Sequence, residues 1–134
     1  MTQNQSTTGI TRIEPYLYYE DVAAALDWLA RAFGFRAAGE RQTSAEGVVT
    51  HAAMEHDGGV LMMGHPGPEY QAPRRSGQRH CTFYVYVSDL DAHYQRAKAA
   101  GAAIIEEPET TEYGHRRYGA EDLEGQHWYF AQPL

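Results

Sequence analysis

The sequence predicts an α+β protein made of two tandem β-α-β-β-β modules, on three observations. Tyr16-Leu17-Tyr18-Tyr19-Glu20-Asp21-Val22-Ala23-Ala24 is echoed by Tyr84-Val85-Tyr86-Val87-Ser88-Asp89-Leu90-Asp91-Ala92, with Asp21 and Asp89 68 residues apart in a chain of 134. A second echo relates Asp57-Gly58-Gly59-Val60-Leu61-Met62-Met63 to Glu124-Gly125-Gln126-His127-Trp128-Tyr129-Phe130, with Gly58 and Gly125 67 residues apart. In each half, a helix-period stripe is followed by short runs of strand character separated by turn residues.

In the first half, Ile13 to Tyr19 reads as a strand, with Pro15 near its start where a missing amide is tolerated. Asp21 is placed to cap a helix whose Val22, Leu26, Leu29 and Phe33 fall at three- and four-residue spacing, and Gly34 is placed to stop it. Strands follow near 35–43, 48–56 and 60–65, broken by Glu46-Gly47 and Asp57-Gly58-Gly59. Pro66-Gly67-Pro68, then Pro73 and Ser76-Gly77, mark a linker. The pattern restarts with a strand over 81–87 and a helix capped by Asp89, carrying Leu90, Tyr94, Ala97 and Lys98. Strands are expected near 103–107, 117–122 and 127–131, with a polar loop over 108–115 that is long enough to reach a site. The expected organisation is a flexible leader over 1–11 and a single domain over 12–134, its modules at about 12–65 and 80–134.

Composition narrows the function. With 43% hydrophobic residues, 134 residues suit one globular domain. A formal charge of −7, with Arg74-Arg75 and Arg116-Arg117 as the only basic pairs, argues against nucleic acid as partner. No apolar run is long enough to span a bilayer, and the polar start lacks the features of a secretion signal, so a cytoplasmic location is expected. The single cysteine, Cys81, is expected in a buried strand, where a free thiol acts as packing. Ten tyrosines are the more informative bias, because a phenol suits the wall of a ligand cavity as well as a core.

The sequence resembles the vicinal oxygen chelate superfamily of glyoxalases, bleomycin-resistance proteins and dioxygenases, and is most similar in feel to its PhnB-like branch. The resemblance is carried by Tyr16 to Asp21 running into the helix that ends Ala32-Phe33-Gly34-Phe35, by Val87-Ser88-Asp89-Leu90-Asp91 with Ala99-Ala100-Gly101-Ala102, and by Tyr118 to Phe130 with its Asp122-Leu123-Glu124-Gly125-Gln126 turn. It implies curved sheets forming a cup, often completed by a second subunit in a homodimer. In metal-using members the ion is held from the first and last strands of each module. Those positions correspond here to Glu14 and Thr82, and to Met62 and Tyr129. A divalent ion needs three or more His, Cys, Asp or Glu donors, and only Glu14 qualifies. No metal or other cofactor is therefore expected; a divalent metal at Glu14 and His80 is the alternative.

If Glu14 and Thr82 face the cup, strand alternation brings Tyr16, Tyr18, Tyr84 and Tyr86 to the same side, together with Met62, His127 and Tyr129. Ile13, Leu17, Phe83, Val85, Val87, Trp128 and Phe130 then pack beneath the helices. Arg117, with Arg116, is a candidate for neutralising a ligand's charge. The expected function is binding of a small, planar organic molecule in a metal-free aromatic cup, as bleomycin-resistance members sequester a drug. The alternative is an enzyme of the same fold, a lyase, isomerase or dioxygenase-like member, with Glu14 as catalytic base or a noncanonical metal site.

Overall fold

The computed structural model describes residues 13–134; the expected leader over 1–11 lies outside the described residues. The chain runs β1 (Tyr16–Tyr18), α1 (Val22–Phe33), β2 (Arg36–Thr43), β3 (Val49–His56), β4 (Gly59–Gly64), a helical turn α2 (Pro73–Ser76), β5 (Phe83–Tyr86), α3 (Leu90–Ala99), β6 (Ala103–Thr110), β7 (His115–Glu121) and β8 (His127–Pro133). Two four-stranded sheets result, in the orders β1-β4-β3-β2 and β5-β8-β7-β6. In each, the first strand pairs parallel with the last, Tyr16 opposite Met62 and Tyr84 opposite Tyr129, and the remaining pairs are antiparallel. This is the α+β arrangement of two β-α-β-β-β units that the sequence predicts.

Both helices begin as the repeat requires. The Asp21 carboxylate accepts from the Ala24 amide at 3.0 Å and that of Asp89 from the Ala92 amide at 3.1 Å, satisfying a donor that the first helical turn leaves unpaired. Gly34 ends α1 at φ 78°, a left-handed conformation that any side chain would strain. The predicted stripe of α1 is fully buried, and in α3 Leu90, Tyr94 and Ala97 are buried. Lys98 is exposed instead, its ammonium 5.6 Å from the Tyr94 ring centroid.

The two units share one core. Leu17, Ala52, Met54 and Met63 of the first sheet and Tyr118, Ala120, Trp128 and Phe130 of the second belong to a single buried cluster with α1 and α3. Phe33, at the end of α1, touches both Trp128 and Phe130, with ring centroids 5.7 and 4.6 Å apart. Buried polar groups fasten the units. Asp122 is completely buried and accepts four hydrogen bonds, from the Tyr19 hydroxyl (2.6 Å), the Trp128 indole (3.0 Å) and the amides of Glu124 (2.9 Å) and Gln126 (3.0 Å). Four donors satisfy a carboxylate that burial would otherwise penalise heavily. The Glu124 carboxylate accepts from the amides of Glu20 and Asp21 at 2.7 and 2.9 Å, tying the Asp122 turn to the start of α1.

Several expectations are corrected. Ile13 is 87% exposed rather than packed beneath the helices, because β1 enters its ladder only at Tyr16. Cys81 is exposed, not buried in a strand, since the β5 ladder begins at Phe83. The predicted loop over 108–115 is mostly strand: β6 continues to Thr110, leaving a turn at 111–114 closed by the Thr111 amide on the His115 carbonyl at 2.7 Å. Pro108 is accommodated there because β6 is an edge strand with a register irregularity between Glu106 and Glu109. The linker contains the turn α2, with Pro73 at its start and Gly77 ending it at φ 77°.

Candidate functional site

The sides of the two sheets that face the helices share the core, so the opposite sides, which carry the tyrosines, are turned away from it. Tyr16, Tyr18, Tyr84 and Tyr86 are 49, 52, 38 and 53% exposed. Four phenol rings at matching strand positions, left half in solvent, form a surface that burial by a partner or ligand would stabilise.

On the first sheet, the Tyr16 and Tyr18 rings meet edge to face at 6.1 Å. The Tyr16 hydroxyl is hydrogen-bonded to His51 Nδ1 at 3.0 Å, and Tyr70 from the linker packs against Tyr18 at 5.7 Å while donating to its carbonyl at 3.1 Å. The Tyr16 ring lies flat over Gly64: a Cβ added there would sit 2.9 Å from Tyr16 Cε1. A recess of about 390 Å³ opens beside Tyr16, Tyr18, Gly64, His65 and Pro66. Met62 is half-buried between Tyr16 and Ala53 in the ladder.

The second sheet repeats the arrangement with its own register. The Tyr84 and Tyr86 rings meet edge to face at 5.6 Å, and the Tyr84 hydroxyl is hydrogen-bonded to His115 Nδ1 at 2.8 Å. Tyr113, from the 111–114 turn, brings its hydroxyl within 3.4 Å of that of Tyr84. Arg117 donates through Nη1 to the Tyr113 hydroxyl and through Nε to Glu106, each at 3.0 Å, and its guanidinium lies 5.2 Å from the Tyr129 ring centroid. Tyr129 in turn lies over Gly119, where a Cβ would stand 2.7 Å from the ring. Partial burial and the neighbouring Tyr113 raise the pKa of the Tyr84 phenol, overriding the opposite pull of Arg117, so it stays neutral at physiological pH.

The other candidates make contacts of their own. His127 is bonded through Nε2 to Glu121 at 3.1 Å, a carboxylate also held by Arg74 and Arg79 at 3.0 and 3.2 Å. The Thr82 hydroxyl donates to the His127 carbonyl at 3.0 Å, extending the β5–β8 ladder. Glu14 is half-buried just before β1, and His80 is exposed before β5. Arg116 does not join Arg117; it forms a bidentate pair with Asp91 on α3. The four positions corresponding to metal-holding strands offer one carboxylate, one hydroxyl, one thioether and one phenol, a set that does not fit a hard divalent ion. Among the described residues, no three His, Cys, Asp or Glu side chains are grouped to hold a metal.

A cleft of about 420 Å³ lies between the units beside the edge strands β1 and β5, lined by Leu17, Leu61, Phe83, Val85 and Trp128 together with Tyr84 and Tyr86. It takes in Tyr84 and Tyr86 of the second tyrosine face, but not Tyr16, Tyr18, His51 or His115. His51, His115, Tyr70 and Tyr113 are the members of the tyrosine faces that the sequence reading did not select. The available signal was a histidine in the third strand of each half, offset by 64 residues rather than 68.

Residues 9–130 match the family model described as Glyoxalase/Bleomycin resistance protein/Dioxygenase superfamily. An uncharacterised protein of Mycobacterium tuberculosis H37Rv is 30% identical over 98% of this chain and 82% of its own length. Among solved structures, TioX from Micromonospora sp. ML1 is 36% identical, covers 92% of this chain and 97% of its own, and superposes with a TM-score of 0.74. Lactoylglutathione lyase from Agrobacterium tumefaciens has the same fold at 17% identity and a TM-score of 0.66, with 91% of this chain and 92% of its own covered. Fosfomycin resistance protein FosX from Mesorhizobium loti also has the fold, at 10% identity, a TM-score of 0.66 and 92% of each chain covered. The chain belongs to the glyoxalase/bleomycin resistance protein/dioxygenase superfamily.

Proposed function

We propose that the protein binds a small planar organic molecule between tyrosine faces and that two copies of the chain build each site. In this reading the first-sheet face of one protomer closes over the second-sheet face of its partner, giving a homodimer with two equivalent cups. The observation that carries it is the repeated surface: Tyr16, Tyr18 and His51 on one sheet, Tyr84, Tyr86 and His115 on the other, with the same edge-to-face and hydroxyl-to-Nδ1 contacts. One further feature supports it: the tyrosine sides of the two sheets lie opposite the helix-packed core that the units share, which leaves their rings half-exposed for a second copy to cover.

The chemistry is recognition rather than turnover. Stacking on phenol rings removes apolar area on both partners from water, on the order of 100 Å² or about 2.5 kcal/mol per half-exposed ring before the cost of association. Sequestration of this kind needs affinity and no catalytic group, which agrees with the replacement of metal-ligand positions by Thr82, Met62 and Tyr129. The protein is accordingly read as a metal-independent, cytoplasmic binding member near the PhnB-like branch. No helix among the described residues is long and apolar enough to cross a membrane.

A thermal-shift screen of aromatic natural products and divalent metals, run together on protein purified without chelator, tests the proposal. Planar aromatics are expected to raise Tm, with Tyr84→Ala and Tyr129→Ala abolishing the shift while retaining the fold. Stoichiometric bound metal, or full ligand affinity in both variants, would overturn it.

A further inference from the structure

The two tyrosine faces differ in one respect that bears on ligand chemistry. On the first, among the described residues, no Lys or Arg stacks on Tyr16, Tyr18, His51 or Tyr70; its Arg36 pairs with Glu55 across β2 and β3. The second contains a guanidinium whose charge is already balanced: Arg117 and Glu106 are paired at 3.0 Å, with side chains only 27 and 29% exposed. Arg117 is also fixed in direction, by Tyr113 on Nη1 and by the Tyr129 ring under its plane. A guanidinium has five N–H donors in a rigid fork. Glu106, Tyr113 and the Tyr84 hydroxyl engage three of these, so donor capacity remains beside the tyrosine rings on a guanidinium whose charge is paired with Glu106.

We propose that Arg117 is the specificity-determining residue of the second tyrosine face and that it selects planar ligands bearing a neutral carbonyl acceptor over planar anions and planar cations. This rests on the aromatic binding proposed above. A carbonyl oxygen accepts from the unspent donors while its ring stacks on the tyrosines, and it keeps the Arg117–Glu106 pair intact. An anion would need a cation free of Glu106, in a chain whose formal charge is −7. A cation would meet the guanidinium at close range or displace it from Glu106, leaving a like charge or a broken pair.

The test uses four bicyclic probes of one size: N-methylquinolone (neutral carbonyl), naphthoate (anion), N-methylquinolinium (cation) and naphthalene (no acceptor). Their affinities are measured by calorimetry on the full-length wild type, Arg117→Met and Glu106→Gln. The quinolone is expected to bind most tightly to wild type. Arg117→Met should weaken it by about tenfold, the loss of one charge-assisted hydrogen bond, and leave naphthalene unchanged. Glu106→Gln, which unmasks the guanidinium, should improve naphthoate binding several-fold. Preference of wild type for naphthoate or quinolinium, equal weakening of quinolone and naphthalene in Arg117→Met, or no gain for naphthoate in Glu106→Gln would each overturn the selection while leaving aromatic binding intact. Failure of all four probes to bind wild type would overturn both readings.

Discussion

Acidification should destabilise this protein through one half-buried histidine. His93 lies on α3 between the two units, its Nδ1 bonded to the Tyr118 hydroxyl at 2.7 Å and its Nε2 to the Phe33 carbonyl at the end of α1 at 2.8 Å. Its ring is 4.2 Å from that of Phe130. Burial lowers its pKa from 6.5 to about 4; the Phe33 carbonyl pulls the other way, and His56 and Arg96 add to the lowering. Between those two values the unfolded chain binds a proton that the folded chain refuses. Stability from this residue is therefore fully present above pH 6.5 and is lost as pH falls toward about 4. The gap corresponds to about 3 kcal/mol, a large fraction of the roughly 5–15 kcal/mol that holds an ordinary domain folded. Denaturant unfolding of wild type and His93→Gln, followed from neutral pH down to about 4, measures it. Wild type should lose about 3 kcal/mol more than the variant across that range. Parallel profiles, or an NMR titration of His93 with a midpoint at its ordinary value, would refute the reasoning.

Removing the carboxylate in Asp122→Ala leaves the Tyr19 hydroxyl and the Trp128 indole unpaired in the core, and should cost about 3–5 kcal/mol in denaturant unfolding. An unchanged midpoint would show that water or rearrangement replaces Asp122. Gly119→Ala pushes a methyl into the Tyr129 ring and Ile105, so ligand affinity should fall, with a stability loss of about 1–3 kcal/mol from overpacking. Gly64→Ala should act likewise through Tyr16, and unaltered affinity in both variants would mean that neither ring touches the ligand.

The fold was legible because its signals are local and repeated. Asp21 and Asp89 announce both helices, Gly34 ends the first, and alternation sorts Leu17, Trp128 and Phe130 to the core and Tyr16, Tyr18, Tyr84 and Tyr86 to the other side. What was not legible depends on pairing across distance. His51 and His115 reach their tyrosines from strands whose offset departs from the repeat, and the two sheets contain register irregularities. Tyr70 and Tyr113 arrive from the linker and a turn, where periodicity gives no direction. His127 satisfies the strand parity, yet at the first position of β8 it meets Glu121, which the linker arginines hold in place. The Asp122 turn is visible as a motif, but its role as a buried acceptor rests on Tyr19, 103 residues away.

The central claim, that each site combines the first face of one protomer with the second face of another, is tested most directly by mixing two binding-dead variants. One carries Tyr16→Ala and Tyr18→Ala, the other Tyr84→Ala and Tyr86→Ala, and calorimetry with a planar ligand identified in the screen reads the outcome. Neither variant alone should bind. After subunit exchange, each mixed dimer should regain one intact cup of its two, and binding should reappear at wild-type affinity with reduced stoichiometry. A mixture as inactive as its components, with exchange verified, would contradict the account.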